Sequence, residues 1–117
     1  MDKDSVNAFC ATLPGAECSS PFGPGHDIWK VGDKIFAAIG AQGRGVSVKC
    51  ESVDMAEMLR TAGAFEKAPY FHRSWVLAPF GAVEQDEMQH RIAASYDLIV
   101  AKLPKKVQAT LKSAPGA

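Results

Sequence analysis

The residues of this chain that could do chemistry are few, and their spacing decides what chemistry is open to them. The three histidines are His26, His72 and His90. None stands four residues from another, the spacing that aims two imidazoles from one helix face at a metal. His90 follows Met88 by two residues, off the apolar stripe of its segment, and reads as a solvated side chain. Metal or acid–base use would need His26 and His72 to converge in space. Cys10, Cys18 and Cys50 are odd in number and contain no C-x-x-C pair. That speaks against a disulfide framework or a thiolate zinc site, and for buried thiols in a reducing cytosol. No serine sits in G-x-S-x-G, and no cysteine carries a recognisable nucleophile signature. Asp86-Glu87 open a long helix, where carboxylates favour the positive end of the dipole. The expectation is a protein with no catalytic residues, no metal and no cofactor, and so not an enzyme.

Gly40-Ala41-Gln42-Gly43-Arg44-Gly45 invites comparison with phosphate-binding loops. Its glycine order is wrong for G-x-G-x-x-G, and it runs into a strand where a dipole-based site needs a helix N-terminus. It reads as a hairpin tip, with glycine supplying positive φ and Arg44 placed to reach a phosphate as a wing does. Lys102, Lys105, Lys106 and Lys112 crowd the C-terminal end, where cations complement a helix dipole. Lys30 and Lys49 fall on strand positions facing away from the apolar rows. Arg73, Trp75 and Leu77 alternate onto one face of a later strand. If that face is the one carrying Lys30 and Lys49, the result is a basic surface with an aromatic for stacking. Trp75 suits the core equally well.

These groups must be carried by a chain of 117 residues, 47% hydrophobic and 22% charged. A domain of this size buries roughly two-thirds of the surface that its unfolded chain exposes, enough to fold without a metal or disulfide. Thirteen Lys and Arg balance thirteen Asp and Glu, which excludes a general electrostatic grip on nucleic acid and leaves only a local patch. No stretch approaches the roughly 18 apolar residues of a membrane span. The polar start Met1-Asp2-Lys3-Asp4 is not a secretory signal, so the expected location is cytoplasmic.

Val6, Phe9, Cys10 and Leu13 make one helical stripe, with Asp4 as N-cap and Leu13-Pro14-Gly15 as the stop. Asp27 to Val31, Lys34 to Ile39 and Val46 to Cys50 then read as a meander of hairpins turning at Gly32-Asp33 and Gly40 to Gly45. Val46, Val48 and Cys50 share a face, as do Trp29 and Val31, and Ile35, Ala37 and Ile39 form a third apolar row; the opposite face is expected to be partly polar. Ser52 caps a helix with Met55, Met58, Leu59 and Ala62 on one side and Gly63 at its end. Tyr70 to Leu77 reads as a strand. A long helix from Glu84 or Gln85 carries Met88, Ile92, Tyr96, Ile99, Val100 and Leu103, and Pro104 opens a further turn with Val107 and Leu111. Ser113 to Ala117 is expected to be a frayed tail. Clustered strands and separate helices give an α+β class, one domain over 1–117, with helices packed on one face of an antiparallel sheet.

Several segments together resemble the MmcQ/YjbR family: Leu13-Pro14-Gly15-Ala16-Glu17, Pro21-Phe22-Gly23, the run Trp29 to Ala37, Val46 to Cys50, Pro69-Tyr70 with Trp75-Val76, and Ser95-Tyr96-Asp97 through Lys106. The resemblance extends from about residue 5 to residue 110. Ser74 stands where family members often carry His or Gly. The resemblance implies a frataxin (CyaY-like) fold and DNA binding through two wing-like elements. Iron capture of the frataxin kind does not follow, because the first helix offers only Asp2 and Asp4 before Asn7, Ala8 and Ala11. The leading expectation is therefore a monomeric, non-enzymatic domain that touches DNA, with Lys30, Arg44, Lys49 and Arg73 on phosphates and Trp75 as a stacking platform. The alternative is a small-molecule or protein-binding accessory or resistance module with a cleft near Pro21, Phe22, Trp29 and Tyr70.

Overall fold

The computed structural model describes residues 1–20, 23 and 25–112. Among them the elements run α1 (Lys3–Ala11), β1 (Glu17–Ser19), β2 (Asp27–Val31), β3 (Lys34–Ile39), β4 (Gly45–Lys49), α2 (Val53–Ala62), β5 (Glu66–Lys67), β6 (Trp75–Pro79), α3 (Gln85–Ala101) and α4 (Lys105–Lys112). The strands form one antiparallel sheet in the order β1-β2-β3-β4-β6-β5. Val6 and Cys10 of α1, Ala56 and Leu59 of α2, and Met88, Ile92, Tyr96 and Ile99 of α3 join Trp29, Phe36, Val46, Val48 and Val76 in one core. The helices thus share one face of the sheet, as the α+β expectation has it. No described helix is long and apolar enough to cross a membrane. Pro21, Phe22 and the expected tail 113–117 lie outside the described residues.

The helix ends follow from local chemistry. Asp2, rather than Asp4, caps α1: its carboxylate accepts the Ser5 N–H at 2.9 Å while the Ser5 hydroxyl accepts the Asp2 N–H at 3.0 Å. The Ser5 hydroxyl also donates to that carboxylate and, with the Ser5 N–H after it, holds the Asp2 carboxyl below its ordinary range. The Ser52 hydroxyl accepts the Met55 N–H at 3.1 Å, and Gly63 ends α2 at φ +103°. The apolar side of α2 is narrower than its periodicity suggests, since Ala56 and Leu59 are buried while Met58 is 57% exposed and Ala62 is exposed. The edge strands β1 and β5 escape sequence reading because they are short and wholly exposed, leaving no alternation to detect. Residues 70–74, expected to be strand, form turns, and the Trp75 N–H closes one on the His72 carbonyl at 2.9 Å.

A bulge in β3 changes the expected faces. Pairing passes from Trp29↔Ala37 to Lys30↔Ile35, so Phe36 is the extra residue. Phe36 and Ala37 are both buried in the core beneath the helices, and Phe36 meets Tyr96 edge-on at 5.4 Å. Ile35 is thereby displaced from the row with Ala37 and Ile39 to the other face, beside Lys30. The bulge also parts β3 from β4, and Ser95 of α3 fills the gap. Its hydroxyl donates to the Phe36 carbonyl at 2.7 Å and accepts the Lys49 N–H at 2.9 Å. Two ladder groups that would otherwise be orphaned are satisfied by one buried side chain.

The helix-free face departs most from expectation. Ile28, Ala38, Ser47, Trp75 and Leu77 are all buried there, although no described helix covers them. Loops do the covering, and they do it incompletely.

Candidate functional site

The register sets one row of side chains across the helix-free face: Ile28 beside Ala38, Ala38 beside Ser47, Ser47 beside Leu77, and Leu77 beside Glu66. Ile28 and Leu77 stand three strand spacings apart, about 14 Å. Between these two branched side chains the row drops to alanine and serine. The floor is therefore a flat trough, apolar except for one hydroxyl. Ser47 is only 5% exposed, and its hydroxyl enters none of the side-chain hydrogen bonds formed among the described residues. Above this floor lies a groove of about 800 Å³, rimmed by the hairpin tip from Gly40 to Gly45 and by Pro69, Tyr70 and Phe71, with Ile35 and His26 completing its lining. That volume falls within the range of sites for drug-sized molecules, roughly 300–1,000 Å³.

Tyr70 is the odd residue of the rim. Its φ is +69°, and its side chain is fully exposed. It follows Pro69 in a tight turn, where positive φ at the position after proline is the preference of glycine. A side chain in that conformation costs roughly 1–2 kcal/mol, and the exposed ring regains none of it by packing. Phe71, next along, stacks on Trp75 with ring centroids 4.3 Å apart and planes 20° from parallel. The groove thus ends in an aromatic wall. Of the residues expected to line a cleft, Tyr70 is on this rim and Trp29 is not, while Pro21 and Phe22 lie outside the described residues. Trp29 belongs to the helix side, where its indole N–H donates to the Asn7 side-chain oxygen at 2.8 Å; Asn7 in turn donates to Asp27 at 3.0 Å, and Asp27 pairs with Lys3 at 3.5 Å. A signal for the groove was present in β3 and β6. Ile35-Phe36-Ala37-Ala38-Ile39 and Trp75-Val76-Leu77-Ala78 are apolar without alternation, the pattern of strands covered on both faces.

The five residues assigned to nucleic acid are not gathered into one patch. Arg44 lines the groove, but its guanidinium is ion-paired and hydrogen-bonded with Glu66. Lys30 lines a separate hollow of about 170 Å³ that also takes in Gly15, Cys18 and Asp33, and it stands opposite Glu17 across the strand pair. Arg73 is exposed on the turn before β6, not on a strand; its carbonyl and that of Trp75 each accept from Arg60 at 3.4 Å. Trp75 lies on the helix-free face but is 8% exposed, with Phe71 against its ring.

Lys49 has a setting of its own, apart from the other four. Its ammonium donates to the Ser74 hydroxyl at 3.2 Å, and that hydroxyl lies 2.9 Å from His72 Nδ1. Because Nδ1 also accepts the Ser74 backbone N–H at 3.1 Å, it acts as the acceptor, and the hydroxyl donates to it. An O–H set between an imidazole and an ammonium is polarised, and Lys49 is brought here from 25 residues away to meet His72 and Ser74. Ser74 is buried, however, and its bonds to His72 run two residues along one turn, so their evident work is to shape the segment entering β6. Burial, then the charge of Lys102, lowers the Lys49 pKa from its ordinary value. Burial pushes the Cys50 thiol up despite Arg91 and Arg60 nearby.

Comparison with known proteins agrees with this architecture. The crystal structure of the Deinococcus radiodurans protein DR2400, described by a DUF419 domain, superposes with a TM-score of 0.82 at 22% identity, covering 97% of this chain and 89% of that one. At that identity the likeness is one of fold. No curated protein matches the chain. The YjbR family model matches residues 11–98, a span from the end of α1 to the last turns of α3 that includes every strand and both rims of the groove. The chain belongs to the YjbR family.

Proposed function

We propose that this chain is a binding domain whose working surface is the groove on the helix-free face, and that its ligand is a small, largely apolar molecule. One observation carries the reading. A sheet face with none of the described helices on it is nonetheless apolar at its centre, and it is left as a groove of about 800 Å³. A face merely exposed to solvent would alternate polar and apolar positions, and a face serving only as core would be filled. In this reading the chain binds without turnover. The test is titration with anilinonaphthalene sulfonate, an apolar fluorescent probe, against the parent and Ala38→Phe, which fills the trough. Saturable binding by the parent and its loss in a variant that still unfolds cooperatively is the expected result. Equal binding by both would place the probe elsewhere and refute the assignment.

DNA binding is the second reading. In its favour, Lys30 and Lys49 emerge on the same face of the sheet as Trp75. Against it stand the net charge of zero, the Glu66 partner of Arg44 and the covered ring of Trp75. Fluorescence anisotropy with duplex and single-stranded DNA decides it. Binding that falls steeply with salt and is weakened by Lys49→Glu with Arg73→Glu would establish this reading, whereas silence at low salt would end it.

A further inference from the structure

We propose that the ligand of the groove is a planar aromatic molecule of one or two fused rings bearing a hydrogen-bonding substituent, and that Tyr70 is the residue that selects it. This rests on the groove being the binding surface, and three features narrow the ligand class. The trough between Ile28 and Leu77 is flat because its central pair is Ala38 and Ser47, and a flat floor is met across its whole face by a planar fused ring but only at scattered points by a puckered saturated one. The Ser47 hydroxyl, without a side-chain partner among the described residues and not shut off from the groove, offers the floor a single directional contact, which an unsubstituted hydrocarbon would leave unanswered. At the rim, Tyr70 is an aromatic ring held out of the fold by a backbone conformation that favours glycine. Conformations of this kind persist where the surroundings enforce them, and they gather at ligand clamps. An exposed tyrosine beside an apolar floor, next to the Phe71–Trp75 stack, is placed to close over the second face of a ring.

The experiment compares β-naphthol with decahydronaphthol, which carries the same hydroxyl on a saturated, non-planar frame. Binding is followed by saturation-transfer NMR on the parent, Tyr70→Phe, Tyr70→Gly and Ser47→Ala, with melting temperature recorded for each. The expected pattern is tighter binding of β-naphthol than of its saturated analogue by about threefold to tenfold, the scale of an aromatic contact. Tyr70→Phe keeps that preference. Tyr70→Gly loses it while melting no lower than the parent, a combination that a merely structural role for the ring would not give. Ser47→Ala weakens β-naphthol with the melting temperature retained. Equal binding of the two ligands, or an undiminished preference in Tyr70→Gly, overturns the inference and leaves the groove reading standing. Failure of β-naphthol to bind at all overturns it too. In that case the anilinonaphthalene sulfonate titration shows whether the groove reading falls with it.

Discussion

Ser95 shows how much of this fold hangs on one polar atom. Helix α3 reads from its sequence as an apolar stripe, and a serine within it looks incidental. In the structure its hydroxyl stands where a rung of the β3–β4 ladder is missing, bonded to the Phe36 carbonyl at 2.7 Å and the Lys49 N–H at 2.9 Å. The need for it arises from the bulge at Phe36, a feature of register that no periodicity reveals. Ser95→Ala strands two buried backbone groups, each worth about 1–3 kcal/mol when unsatisfied, so a loss of about 2–4 kcal/mol in urea denaturation is expected. Ser52→Ala, which removes an exposed helix cap, supplies the comparison at about 1 kcal/mol. A Ser95→Ala variant no less stable than Ser52→Ala would mean that β3 and β4 close the gap themselves.

At the scale of elements, the loop joining β3 to β4 separates what composition can say from what it cannot. Its glycines read as a hairpin tip, and a tip is what they form. Yet the three serve different ends. Gly43 alone has positive φ, at +63°. Gly45 is required by proximity, because a Cβ there would meet the Ala78 carbonyl oxygen at 2.3 Å and the Pro79 Cα at 2.8 Å. Gly40 meets nothing within 4 Å and needs neither property. Close approach between β4 and β6 depends on a pairing across 34 residues, so the loop sequence carries no trace of it. Gly45→Ala must push backbone against backbone, and an overpacking loss of about 1–3 kcal/mol is expected. For a domain of this size that is a fall of roughly 5–20 °C in Tm. Gly40→Ala should melt at or slightly above the parent, since it narrows the unfolded ensemble without strain. If both variants melt alike, the spacing of β4 and β6 is not what fixes Gly45. Only Gly45→Ala should also disturb probe binding, because it moves the hairpin tip that rims the groove.

On the scale of the whole molecule, the two faces of the sheet were unequally legible. The helix side followed from stripes at i, i+3, i+4 and i+7, because a helix repeats its burial every turn and Met88, Ile92, Tyr96 and Ile99 announce it. The other side is covered by loops, which have no period, so Ile28, Ala38 and Leu77 gave no sign of a groove beyond their being apolar. Burial on the helix side has a further consequence at alkaline pH. Cys10 is on the buried side of α1 with no exposure, and burial, reinforced by the nearby Cys18, pushes its thiol up to about 12 from an ordinary 9.0. Below pH 9 the thiol is protonated in both states and its contribution is fully present. Between pH 9 and 12 only the unfolded chain gives up the proton, so stability is lost as pH rises. Cys50 and Tyr96 are also raised by burial and act in the same sense, while the lowered Lys49 acts against them. At pH 10.5 the share of Cys10 is about 2 kcal/mol, one and a half pH units at roughly 1.4 kcal/mol each. Urea unfolding under reductant at pH 8 and pH 10.5 isolates that share when the parent is set beside Cys10→Ala. The variant begins less stable because of the cavity it leaves, but it should lose about 2 kcal/mol less over the interval. An equal loss in both would show that Cys10 ionises within the fold, and that the packing of α1 on β2 is open to water at that end.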